Sequence, residues 1–280
     1  MLFYTLKRLL LSLPILIGIT LITFGVMHLA PGKPTDALTD MNARVTAEAR
    51  QKLVTLYGLD QPWPVQYGRW LKRLSRLDFG TSFRDGRPVM EKIGERLPAT
   101  LLLNACSMGL ILLVAIPLGV LSALFRNRWA DKSLTVFVFL GYSMPTFWLA
   151  LLLMILFGIK LGWLPISGLH ALDYDEMGGL ARIGDVARHL VLPVFVTAFT
   201  GLAGMSRYVR NGLLEVLHQD YIRAAKARGL GAARIIFKHA LGNALIPVVT
   251  ILGLSLPDLI GGGLHLRDDL RLSGDGKARL

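Results

Sequence analysis

The chain has 280 residues, of which 53% are hydrophobic and only 18% charged, with a mean hydropathy of +0.51. Soluble domains carry about a quarter charged residues, so the composition points into a membrane. The net charge of +12 is what basic cytoplasmic loops of a membrane protein add up to; without zinc-finger spacing or a separate basic domain, nucleic acid is excluded as a partner.

A spanning helix needs about 20 mostly apolar residues. Five stretches qualify, roughly 9–30, 99–125, 134–159, 190–205 and 244–263. The expected fold is therefore all-α and polytopic, with about five transmembrane helices. Lys7 and Arg8 precede the first stretch as they would in a signal peptide. Its apolar run exceeds the ~7–15 residues of such a peptide, and Ala30 belongs to no small-x-small cleavage site, so a retained span is expected.

Between the first two spans lies a long segment, 31–98, expected outside and partly folded. Apolar residues recur at helical spacing over 67–77, and Trp63 and Trp70 suit an interface. Cys106, the only cysteine, sits in an apolar run with no His or Cys neighbour, so it reads as packing. Arg126, Arg128 and Lys132 separate the second and third spans. Seven more basic residues, from Arg207 to Lys238, separate the fourth and fifth. These basic connections alternate with the others, which predicts a cytoplasmic N-terminus.

Ionisable residues are almost missing from the spans: His28 lies near the end of the first and Asp258 in the fifth. His28 reads as an interfacial or packing residue, and Asp258 follows Pro257, where backbone groups are freed. Ion-coupled carriers use charged groups at mid-membrane, so their scarcity argues against a self-sufficient carrier or channel. Gly-x-x-x-x-Gly-Lys-Ser/Thr, His-Glu-x-x-His, Gly-x-Ser-x-Gly and Cys-x-x-Cys do not occur. No enzyme activity, cofactor or metal site is expected, and energy for uphill transport would come from a partner.

The stretch 211–243 carries the most information. Leu214, Leu217, Tyr221 and Ala224/Ala225 fall on one face at helical spacing, with Arg223, Lys226 and Arg228 mostly elsewhere. Gly229 and Gly231 end that helix, and a second, over 232–241, leads into the fifth span. Ala224, Ala225 and Gly229 are small enough for a partner backbone to come close. A solvated amphipathic connector on the membrane surface fits the same pattern, and spacing alone does not choose.

Arg223-Ala224-Ala225-Lys226-Ala227-Arg228-Gly229 resembles the E-A-A-x-x-x-G loop of ATP-binding-cassette (ABC) importer permeases, with Arg223 in place of the glutamate. The run from His239 to Pro247 resembles the version found in the dipeptide/oligopeptide permeases. So do Asp78-Phe79-Gly80-Thr81-Ser82, Arg96-Leu97-Pro98-Ala99-Thr100, Tyr142-Ser143-Met144-Pro145-Thr146-Phe147-Trp148 and Leu56-Tyr57-Gly58-Leu59-Asp60-Gln61-Pro62. The likeness covers about 1–263. It implies a bacterial inner-membrane subunit forming part of the path for di- or oligopeptides, with nickel or another small solute as the alternative cargo. The partners it implies are ATPase subunits, a second permease subunit, an extracytoplasmic solute-binding protein and the lipid bilayer. Within a cytoplasmic coupling loop at 207–243, it implies that Glu215, Asp220, Tyr221, Arg223, Ala224, Ala225 and Gly229 form the surface that docks the ATPase.

Beyond Gly263 the family pattern stops, although six spans are expected. Synonymous codons for 264–280, read one base later, give S-I-F-E-T-I-F-A-Y-P-G-M-G-K-L-G, which is the family's continuation. The tail 264–280 is thus expected to be a frameshift product, leaving 1–263 as the permease domain. The nucleotide sequence downstream of the Gly263 codon is predicted to encode, one base over, that run and a further apolar span. An unrelated next frame would make the tail genuine. With the tail frameshifted, the 280-residue form fails to restore uptake to a permease-deletion strain.

Overall fold

A computed structural model describes residues 2–29, 54–55, 58–82 and 85–261. The tail 264–280 and much of the segment after the first span, including Leu56 and Tyr57, lie outside the described residues. The chain forms two compact units, 1–96 and 97–280. Among the described residues the fold is all-α, with one isolated β-bridge between Thr81 and Pro88.

In the first unit, α1 (Leu2–Leu29) is apolar throughout, and most of its side chains point outward. Its hydroxyls do not stay unpaired: Ser12, Thr20 and Thr23 donate to carbonyls three or four residues back, which removes their cost in lipid. Helix α2 (Trp63–Leu74) starts at two prolines, Pro62 and Pro64, whose ring geometry favours a first turn. One of its faces, Trp63, Gln66, Tyr67 and Trp70, packs on α1. Phe24 is buried there, with its ring 5.3 Å from Tyr67 and 6.1 Å from Trp70. His28 Nε2 lies 2.9 Å from Gln66 Oε1, and Gln66 donates to the carbonyls of Leu59 and Gln61. His28 is thus a packing residue. The cations of α2, Arg69, Lys72 and Arg73, lie off this face.

A tight loop follows, closed by Ser82 N–H donating to Arg87 O and Val89 N–H to Gly80 O. Lys92 donates to Asp85 at 2.7 Å, and Arg87 bridges Glu91 and Glu95. The bond from Lys92 holds the Asp85 carboxyl down at about 2.

Helix α3 (Val89–Leu124) runs into the second unit, and α6 (Gly179–Leu217) is that unit's axis. With 39 residues, α6 is about 58 Å long, nearly twice the ~30 Å hydrocarbon thickness. Its residues Val209 and Leu213 have no exposed surface. Two close backbone approaches fix its neighbours. A Cβ at Gly119 of α3 would lie 2.6 Å from Val209 Cβ and 2.7 Å from Ser206 O. A Cβ at Gly212 would lie 2.7 Å from Ala244 O. Small residues let helix backbones meet where lipid offers no hydrophobic drive.

The stretch 134–159, expected as one span, is two helices: α4 (Trp129–Ser143) and α5 (Thr146–Leu153), bent by 96°. Pro145 is the cause. It disfavours helical geometry in the residue before it, and Met144 is extended (ψ 127°). After α5, residues Met154–Lys160 continue as π-helix. The connection to α6 is pinned at its far end, where Arg182 donates to the carbonyls of Tyr174 and Asp175 and Ala171 N–H donates to Asp185.

Beyond α6 come α7 (Asp220–Ala227), a single turn α8 (Ala232–Arg234), a π-helical stretch Ile235–Ala240, α9 (Leu241–Ala244) and α10 (Ile246–Gly261). Asp258 lies on the backbone of α10. Among the described residues, four helices are long and apolar enough to cross a membrane, five if the bent pair is one span.

Gly119→Ala is expected to cost about 1–3 kcal/mol through the forced shift of packed backbone, and to lower the midpoint of thermal unfolding in detergent. Gly109→Ala on the same helix, where nothing lies within 4 Å of the new methyl, leaves the midpoint unchanged or raised.

Candidate functional site

The segment 207–243 is built on the end of α6. That helix stops at Leu217 without a glycine or proline. Gln219 is extended (ψ 150°), and its carbonyl accepts from the N–H groups of Ile222 and Arg223 to start α7. The helix expected to run unbroken from 214 to 225 is therefore two helices, and the periodicity read through 218–219 loses its phase. Ile222 and Ala225, 0% and 2% exposed, face inward. They join the core cluster that holds Val209 and Leu213 of α6 together with Ile235, Ala240, Ala244 and Val248.

Gly229 ends α7 with φ +77°. Its N–H donates to Lys226 O, and Leu230 N–H donates to Ala225 O. These two bonds close the helix end on a left-handed residue, the conformation glycine adopts without strain. Leu230 then packs against the same core as Ala225.

The residues expected to dock a partner divide accordingly. Tyr221, Arg223 and Ala224 point outward on α7, with Asp220 exposed in its first turn; Glu215 is exposed on the last turn of α6 and Gly229 at the cap. Ala225 faces the chain's own core. Tyr221 is 43% exposed, and its hydroxyl accepts from Asn243 Nδ2 at 2.8 Å, tying α7 to the chain after the π-helical stretch. The Arg223–Asp220 pair, 3.4 Å apart and open to water, adds little.

A second polar centre has no local motif to mark it in the sequence. Asp131 of α4 is 5% exposed and is the only charged residue buried among the described residues. Arg210 of α6 donates to it from Nε at 3.0 Å and Nη2 at 2.9 Å. Ser122 Oγ of α3 and Asn127 N–H fill the remaining acceptor positions. Asn127 takes a left-handed turn (φ 64°) to present that N–H. One carboxylate thus holds three helices through four donors, as a buried charge requires. Beside it lies a cavity of about 260 Å³ lined by Ser122, Thr135, Ser206, Arg207, Arg210 and Asn211. The available signal was position: Asp131 is the only acidic residue between Glu95 and Asp173. In the sequence Arg210 is one more cation of a basic connection.

Comparison with known proteins gives the class. Residues 1–104 match the N-terminal domain of the binding-protein-dependent transport system membrane components, and residues 115–266 match the binding-protein-dependent transport system inner membrane component. The chain belongs to this family of permease subunits and, with its apolar helices, to the inner membrane. Among its relatives, the oligopeptide transport system permease protein AppB of Bacillus subtilis is 42% identical over 98% of this chain and 85% of that protein. The dipeptide transport system permease protein DppB of Alkalihalophilus pseudofirmus is 38% identical over 94% and 83%, respectively. The probable D,D-dipeptide transport system permease protein DdpB of Escherichia coli is 40% identical over 88% and 76%.

Ile222→Ala, which empties a fully buried site, is expected to destabilise the 207–243 segment by about 2–5 kcal/mol. Ala224→Ser, on the outward face, leaves it unchanged. Amide exchange across 219–230 in detergent reads the difference directly.

Proposed function

We propose that this chain is a transmembrane subunit of an ATP-driven importer, forming part of the path for di- or oligopeptides, and that α7 is its docking helix for the ATPase. The observation that carries the second half is the two-sided build of α7. Ile222 and Ala225 root it in the core, its glycine cap fixes its end, and Tyr221, Arg223 and Ala224 are left to a partner. A short helix held this firmly passes on a push from a groove that receives it. A surface-lying amphipathic helix would bury its apolar face in lipid; here Ile222 and Ala225 are spent on the protein's own core.

In this reading residues 1–263 form the permease domain, the N-terminus and 207–243 face the cytoplasm, and 31–98 faces outward. The basic residues of the short connections support that orientation. Energy comes from the ATPase, because the chain has no phosphate-cradling loop of its own, and the subunit itself catalyses nothing. A binding protein delivers the solute, and a second permease completes the path. ATP-driven closure of the ATPases moves their grooves, the docking helices follow, and the spans rock between outward and inward openings. Peptide cargo follows from the names of the relatives; their likeness over most of the chain favours it above nickel.

In the assembled transporter, Ala224→Cys is expected to cross-link to a cysteine placed in the ATPase groove, at a yield that changes when ATP is trapped. A cysteine at Ala225, facing inward, gives no cross-link. Equal yields from both, or none from Ala224→Cys, would refute the docking. Uptake of a labelled dipeptide that continues without ATP would favour a self-sufficient carrier.

A further inference from the structure

The docking helix and the Asp131 centre lie on the same stretch of α6. Val209 and Leu213, which share a core cluster with Ile222 and Ala225 of α7, flank Arg210 in sequence. A displacement of α7 therefore reaches the turn of α6 that carries the guanidinium. On the other side of the ion pair, Asp131 sits in the first turn of α4, the helix that leads to the bend at Pro145. Beyond that bend, Leu149 and Ala150 of α5 pack on Val196 of α6.

How α4 is tied to α6 changes along its length. Towards the bend the two meet by packing: the rings of Phe137 and Phe199 are 5.5 Å apart, edge to face, and Phe199 also abuts Gly141. At the level of Asp131 the cavity of about 260 Å³ opens among α3, α4 and α6. There the tie is the carboxylate, with a bidentate bond to Arg210 and a hydroxyl bond from Ser122. Thr135, one turn on, donates to Asp131 O and so holds the same turn of α4 in shape.

We infer that Asp131 is a positioning residue of the transport cycle: by clamping the start of α4 to Arg210, it makes α4 follow α6 when the docking helix moves. The inference rests on α7 being that docking helix. Without the clamp, α6 would still move with the ATPase while the start of α4, facing a cavity, would lag. ATP would be hydrolysed without a matching rearrangement of the bent pair. The clamp is a physical link between two named elements, so it is open to direct measurement.

The test places spin labels at Trp129→Cys, which is 85% exposed at the start of α4, and at His218→Cys at the end of α6, with Cys106→Ser. The transporter is assembled with its ATPase, second permease and binding protein, using a gene in which the frame after the Gly263 codon is restored if that frame encodes the family's continuation. With Asp131 intact, the label pair is expected to give one narrow distance population, both without nucleotide and with ATP trapped. Asp131→Asn is expected to add a second population when ATP is trapped. It is also expected to lower solute moved per ATP hydrolysed by about tenfold, within the range of ordinary inter-site coupling, while hydrolysis itself persists. Arg210→Lys, which keeps the charge and loses the fork, gives the same result if Asp131→Asn does not accumulate. The pair Asp131→Glu with Arg210→Lys, which restores reach, recovers the narrow population. An unchanged distance distribution in both single variants would overturn the inference. So would parallel loss of hydrolysis and label order in the absence of nucleotide, which marks simple misfolding. Failure of the Ala224→Cys cross-link would instead remove the docking reading beneath it.

Discussion

The close approach of α6 to its neighbours is the constraint on which the rest of the second unit depends. At Gly119 and again at Gly212 the backbones meet at distances that no Cβ could occupy without a shift. In water such contacts would be reinforced by the expulsion of solvent from apolar surface. In a bilayer the lipid tails are as apolar as leucine, so van der Waals fit carries more of the load. The first contact falls on Ser206 and Val209 of α6 and the second on its Gly212, and Arg210 sits between them in the chain. The core cluster, the Asp131–Arg210 pair and the root of α7 are all laid out from this short length of one helix.

A buried ion pair is an expensive way to join helices. Removing one partner of such a pair costs about 3–5 kcal/mol, yet the intact pair often contributes no more than well-packed apolar residues would. Its value lies in geometry. A carboxylate with four donors from α3, α6 and the turn before α4 fixes one arrangement of those elements. An apolar contact of the same area would tolerate sliding. The fork of Arg210 adds direction, because two parallel bonds resist rotation where one would not. Such a joint suits the coupled movement of α4 and α6 proposed above.

Much of this was legible in the sequence. Apolar run length gave the spans, because backbone groups in lipid must be satisfied within a helix and about 20 residues cross the hydrocarbon. The segment around Ala224 and Gly229 stood out for its small residues and its helix-ending glycine, and Gly229 does cap α7. Two features were hidden for different reasons. The break at His218–Gln219 has no glycine or proline to announce it, so the face drawn through Leu217 and Tyr221 ran across a change of axis. Beside Ala225, the residue that turns inward is Ile222, next to Arg223. Asp131 was hidden by its neighbours: it lies just before the apolar run that begins at Leu134, among Arg126, Arg128 and Lys132. Its partner is 79 residues away, and no local pattern can pair residues at that separation.

The π-helical stretch Ile235–Ala240 solves a problem of phase. Ile235 and Ala240 are both buried, and so are Ala244 and Val248. The last three are spaced by four, as one face of an α-helix demands. Ile235 is five residues before Ala240, and in an α-helix that interval turns the side chain by about 140° away. The wider i→i+5 turn brings the two back to one side. The chain can therefore leave the glycine cap with Ile235 already inward and enter its final helix with Ala244 against Gly212. One extra residue per turn, held at a single place, reconciles two registers that a uniform helix could not satisfy together.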